Sequence, residues 1–81
     1  MRGRLFVSPH ARDRYRERVD ASLSGEQAID AILSDIAAGT GAHRRGRMLE
    51  ITGARPRRIR YRVGPPKVVG GAPVVVTVLA R

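Results

Sequence analysis

The sequence predicts an α+β domain: a short N-terminal strand, two helices, and an antiparallel β-meander with both helices packed on one sheet face. Three observations carry this prediction. Two helix-start signals sit close together in the first third of the chain. The apolar period is helical up to about residue 36 and becomes two from residue 46 onward. Helices followed by consecutive strands are the order of an α+β layer architecture.

Leu5-Phe6-Val7, preceded by Arg4, is a short apolar run and reads as an edge strand. Ser8-Pro9 then opens a helix, with Ser8 as N-cap and Pro9 at the first helical position. Ala11, Tyr15 and Val19 recur every four residues and give this helix a narrow apolar stripe. Ser24-Gly25-Glu26-Gln27 is a capping box that opens a second helix, and Leu23 is placed to staple onto Ala28. Ile29, Ile32, Leu33 and Ile36 form its buried face, and Gly39 ends it.

The Gly-rich stretch Gly39–Gly46 reads as a surface loop. Met48, Leu49 and Ile51 predict a strand that Gly53 ends. In Arg58–Val63, Ile59, Tyr61 and Val63 face one way and Arg58, Arg60 and Arg62 the other. Lys67-Val68-Val69 predicts a further short strand between two turns. Val74–Leu79 is continuously apolar, as in a central strand covered on much of both faces.

At 81 residues the chain fits one domain, residues 1–81. It has no cysteine, which excludes a disulfide framework and a thiolate zinc site. Two histidines with few nearby acids give no donor set for a metal, and no cofactor is expected. No apolar run is long enough to span a bilayer, and the N-terminal one is too short for a signal peptide, so a cytoplasmic protein is expected.

The net charge of +9 is one-sided. Residues 1–35 hold six arginines and six acids and sum to zero. Residues 36–81 hold nine arginines and Lys67 against Glu50, so the whole excess lies there. Fifteen arginines to one lysine reflect a compositional bias toward arginine, but that bias does not remove acids. Such a field draws RNA or another polyanion.

His10, Arg14 and Arg18 are four apart and lie at roughly 0°, 40° and 80° around the first helix, bordering its buried stripe. An imidazole can exchange a proton with a ribose hydroxyl, and guanidiniums can hold the phosphate. That set suffices for RNA cleavage without a metal. The same spacing also makes a solvated face, with Asp13 and Glu17 able to pair with Arg14 or Arg16. Arg58, Arg60 and Arg62, extended by Arg55, Arg57 and Lys67, can follow a phosphate backbone or simply make a sheet face soluble. Arg44 and Arg45 sit beside His43 in the glycine-rich stretch and can add contacts to phosphate. Thr77 interrupts the valine run, either bonded to backbone or presented to a cleft.

The stretch Ser8-Pro9-His10-Ala11-Arg12-Asp13-Arg14-Tyr15-Arg16-Glu17-Arg18 resembles the S-x-H-A-x-x-R-x-x-x-R opening of small bacterial and phage domains related to BrnT-type and RelE-type toxins. Ser24–Ala28 and Val75-Val76-Thr77-Val78 match later marks of that group. The chain departs from it at Val19-Asp20 and in ending Leu79-Ala80-Arg81 without an aromatic residue. The resemblance implies a ribonuclease-like fold, an RNA substrate, no metal and an acidic antitoxin partner. It puts His10, Arg14, Arg18 and Thr77 at the matching site positions. Two function classes follow: a metal-independent endoribonuclease of toxin type, or a non-catalytic phage or mobile-element protein whose basic surface binds nucleic acid or inhibits a host protein.

Overall fold

Two serine caps set both helices in a computed structural model that describes residues 5–39, 41–54, 59–66 and 71–79. Ser8 is extended, and its hydroxyl accepts from the Ala11 amide at the start of α1 (Pro9–Arg18). The Ser8 hydroxyl also donates to the Val76 carbonyl at 3.4 Å, which ties the helix start to the sheet. Ser24 and Gln27 close the capping box of α2 (Gly25–Ala37) in both directions. The predicted helix starts are therefore the observed ones.

The sheet has five strands in the order β1-β5-β4-β3-β2. They are β1 (Phe6–Val7), β2 (Gly41–Arg45), β3 (Met48–Thr52), β4 (Arg60–Gly64) and β5 (Val74–Leu79). β2 to β5 form an antiparallel meander, while β1 adds in parallel beside β5. The α+β architecture holds, but the sheet is mixed rather than purely antiparallel. Parallel pairing of β1 and β5 requires the long crossover that the two helices and the meander supply.

One strand assignment changes. Residues 41–45 are not a loop: they pair with β3 along their whole length, from Gly41 opposite Thr52 to Arg45 opposite Met48. A two-residue connection at Gly46-Arg47 makes the hairpin, and Gly46 takes φ of +59°, which favours glycine. All five residues of β2 are exposed, so this edge strand carries no apolar alternation that would mark it in the sequence. The predicted Lys67–Val69 strand lies outside the described residues.

The core lies between the helices and one face of the sheet. Ala11 and Tyr15 of α1, Ala28 and Ile32 of α2, and Ile59, Tyr61, Val63, Val75 and Val78 are buried together. Each large apolar side chain so buried contributes about 1.5–3 kcal/mol. β4 keeps the predicted alternation: Tyr61 and Val63 are buried, Arg60 and Arg62 exposed. In β5 the buried Val75 and Val78 are three apart, which a regular strand would place on opposite faces. A register shift opposite Arg62/Val63 inserts the extra residue and returns both to the core.

Asp35 fastens α2 to the sheet. Its carboxylate accepts from the Ala54 amide at 2.8 Å and from the Tyr61 hydroxyl. Gly53 lies so close to that carboxylate that a Cβ there would overlap it. Among the described residues, no helix is long and apolar enough to cross a membrane.

Candidate functional site

The sheet face away from the helices is the chemically distinctive surface. Leu49 and Ile51 pack toward the core, so Met48, Glu50 and Thr52 of β3 face the other way. Directly opposite residues share a face, and the register then places His43 across from Glu50, Glu50 across from Arg62, and Arg62 across from Thr77. One row thus runs His43–Glu50–Arg62–Thr77 over four adjacent strands. At about 4.8 Å per strand it spans roughly 14 Å. Arg45 and Arg60 flank it, two residues from His43 and Arg62.

Glu50 is the centre of this face. Its oxygens lie 3.9 Å from the Arg45 guanidinium and 3.7 Å from those of both Arg60 and Arg62. The Glu50 side chain is only 11% exposed, while the three arginines are about half-exposed. Three cations against one anion leave 3 − 1 = +2 on a patch spanning three strands. All three separations exceed hydrogen-bond length, so Glu50 neutralises the guanidiniums only in part and leaves their donors free for another anion.

Comparison with protein-family models, with curated proteins and with solved structures finds no match.

The sequence-predicted residues divide between two surfaces. Arg45, Arg60 and Arg62 converge on Glu50, and Thr77 stands beside Arg62 in the same row. Arg44 alternates to the side of the sheet that carries the helices and is exposed there at the edge. His10, Arg14 and Arg18 belong to α1, which packs on the opposite side of the sheet from Arg60, Arg62 and Thr77. They do not form with the sheet arginines the common groove that their sequence pattern suggests. The cause is parity: Tyr61 and Val63 point at the helices, so their neighbours cannot. Arg55, Arg57, Arg58 and Lys67 lie outside the described residues.

Local partners occupy much of α1. Arg14 pairs with Glu17 at 3.5 Å, Arg12 with Asp13 at 3.1 Å, and Arg16 donates to the Leu23 carbonyl at 2.8 Å. His10 and Arg18 are exposed. Among the described residues no group of three or more His, Asp or Glu is arranged to hold a metal ion.

Sequence reasoning missed Glu50 and His43 as partners. Their signal was the Gly46 turn: a two-residue hairpin loop fixes the pairing of its strands, and hence which residues face each other.

Proposed function

We propose that this protein binds single-stranded RNA across the open face of its sheet. The observation that carries this reading is the convergence of Arg45, Arg60 and Arg62, from three strands, on the single carboxylate of Glu50. Arg60 and Arg62 stand about 7 Å apart along β4, two residues of strand rise, so successive phosphates of one nucleic-acid strand can meet successive guanidiniums. Guanidiniums grip phosphate in a bidentate fork and stack their planes on exposed bases. Tyr15 and Tyr61 are both buried in the core and offer no stacking platform to a ligand. Phe6 of the edge strand β1 is exposed and alternates with the core-facing Val7, so it adds one aromatic surface at the far edge of this face, while phosphate charge and guanidinium contacts give binding a steep salt dependence. The resemblance of residues 8–18 to toxin-type ribonuclease domains supports the same polyanion.

The test is fluorescence polarisation with labelled oligouridylate over a salt series. Wild-type affinity falls with salt, and the double substitution Arg60→Ala/Arg62→Ala reduces the slope of log K against log salt by about 1.4, at about 0.7 for each phosphate no longer neutralised. Unchanged affinity and slope in a Glu/Glu charge reversal at these two positions, with the far-UV circular dichroism of wild type, would overturn the reading.

A further inference from the structure

Resting on the RNA reading above, we infer that Phe6 and the cavity beside it hold an unstacked nucleobase of the strand whose phosphates lie on Arg60 and Arg62. The open sheet face has a charged part and an apolar part. Gly64 is opposite Val74, and Val74 is opposite Phe6. Val7 and Val75 pack toward the core, so Phe6 and Val74 face the other way. Met48 lies one residue before Leu49, which pairs with Val63, and so stands beside Gly64. A Cβ on Gly64 would meet the Met48 sulfur and a Val76 methyl at 3.5 Å each, so these two side chains flank the glycine on the open face. An apolar row of Met48, Val76, Val74 and Phe6 therefore runs beside the row of Glu50, Arg62 and Thr77, about 7 Å away, two residues of strand rise. A single nucleic-acid strand has the same two sides, charged phosphodiester on one and unpaired bases on the other.

Phe6 supplies the stacking surface. The sequence holds one phenylalanine, two tyrosines and no tryptophan, and both tyrosines are buried in the core. Phe6 is 61% exposed, so its ring is the one a ligand can reach. A cavity of about 330 Å³ opens beside it, lined also by Val7, Ser8, Pro9, Ala72 and Val74. That is the small end of the range for ligand sites, about 300–1,000 Å³, and suits a planar base. The Ser8 hydroxyl is engaged with the Ala11 amide and the Val76 carbonyl. The base is therefore held by stacking and apolar contact, which any unpaired base can make. By strand spacing and rise, Phe6 stands about 12 Å from Arg62, a span that two linked nucleotides cover. Charge favours RNA over a second copy of this chain as occupant: a second copy brings a further +9, whereas RNA brings negative charge to the adjoining arginines.

The experiment titrates the full chain with labelled oligouridylate and with base-free polyphosphate over a salt series. Phe6→Ala binds oligouridylate about fivefold to tenfold more weakly than wild type at every salt concentration, the lower part of the range for removing one stacking partner. The slope of log K against log salt stays that of wild type, because the ring neutralises no phosphate. Polyphosphate affinity is unchanged, since that polymer has no base to stack. Phe6→Tyr keeps wild-type RNA binding, whereas Phe6→Leu, apolar but without a ring face, behaves like Phe6→Ala. Equal oligouridylate affinity in wild type and Phe6→Ala would overturn this inference and leave the arginine reading standing. An equal loss for oligouridylate and polyphosphate would overturn it too. A wild-type dimer in analytical ultracentrifugation that Phe6→Ala dissociates, with RNA affinity unchanged, would overturn it and give the cavity to a second copy. Absence of wild-type binding to either polymer would remove both readings.

Discussion

The Tyr61 hydroxyl donates a hydrogen bond to the Asp35 carboxylate, joining the middle of the sheet to the third turn of α2. Tyr61 is fully buried, and the same carboxylate accepts from the Ala54 amide just beyond β3. One acid thus fixes the position of a helix, a strand and the segment leading out of β3. Tyr61→Phe keeps the ring and removes the donor. A hydrogen bond to a carboxylate contributes about 1.5–3 kcal/mol, so thermal unfolding of Tyr61→Phe should fall by roughly 10 °C, at about 4–8 °C per kcal/mol in a domain of this size. Asp35→Ala should cost more, because the Ala54 amide loses its acceptor as well. A Tyr61→Phe melting temperature within about a degree of wild type would show that the bond is energetically idle.

The same phenol gives the fold an alkaline limit. Burial, then the Asp35 hydrogen bond, then the charge of Asp35 and the Tyr15 phenol, raise the Tyr61 pKa well above the ordinary tyrosine value of 10.0. A raised pKa means that the folded state resists ionisation that the unfolded state accepts. This contribution is fully present below pH 10.0 and is lost as pH rises above it. Urea unfolding at stepped pH should show stability declining above about pH 10 in wild type. The decline should be shallower in Tyr61→Phe, and equal slopes would count against the assignment.

Glu50 holds the basic face together by charge. In Glu50→Gln, Arg45, Arg60 and Arg62 lose their shared counter-charge. The pairs are half-exposed at the arginine end and each contributes under about 1 kcal/mol. The variant should therefore lose a few degrees of melting temperature at low salt and recover them at high salt, where repulsion is screened. Its affinity for RNA should rise by up to about fivefold, because a like charge about 4 Å from the phosphate costs about 1 kcal/mol. Titration of the variant with oligouridylate checks the sign: weaker binding would mean that Glu50 positions the arginines more than it opposes the ligand.

Two glycines respond to alanine for different reasons. At Gly53 the added Cβ would overlap the Asp35 carboxylate, so either α2 or the Tyr61 contact has to shift. At Gly46 there is open space, but φ is +59°. Gly53→Ala should cost about 1–3 kcal/mol by overpacking, and Gly46→Ala about 1–2 kcal/mol from its left-handed backbone. Gly41, with open space and no such φ, is the control and should tolerate alanine. Urea midpoints for the three variants check the ranking, and a Gly53→Ala midpoint equal to that of Gly41→Ala would contradict it.

The helices were legible because their signals are local. Ser8-Pro9 and Ser24–Gln27 place polar groups within three residues of the amides they cap, and nothing distant alters that geometry. The faces of β4 were legible because burial of Tyr61 and Val63 enforces alternation. β2 was not, since an edge strand with five exposed residues leaves no apolar pattern. The candidate site was half-legible. Arg60 and Arg62 stand out in sequence, but their convergence with Arg45 on Glu50 is set by strand register: the Gly46 turn fixes β2 against β3, and the β3–β4 pairing puts Arg62 opposite Glu50. The His10 stripe shows the converse: four-residue spacing puts side chains in line, yet says nothing about which side of the sheet the helix will cover.

That placement makes α1 a sharp control for where RNA sits. Arg14 is engaged with Glu17, and Arg18 and His10 are exposed on the helix layer, across the sheet from Arg60 and Arg62. Arg14→Gln/Arg18→Gln removes as much formal charge as Arg60→Gln/Arg62→Gln. If the open sheet face is the RNA surface, only the sheet pair should change the salt slope, by about 0.7 for each phosphate left without its arginine. The helix pair acts only through the long-range field, which is screened beyond about 8 Å at 0.15 M salt, and should weaken binding by less than about twofold there. Measured side by side with the same oligouridylate, equal losses in the two double variants would move the interface off the sheet and toward α1.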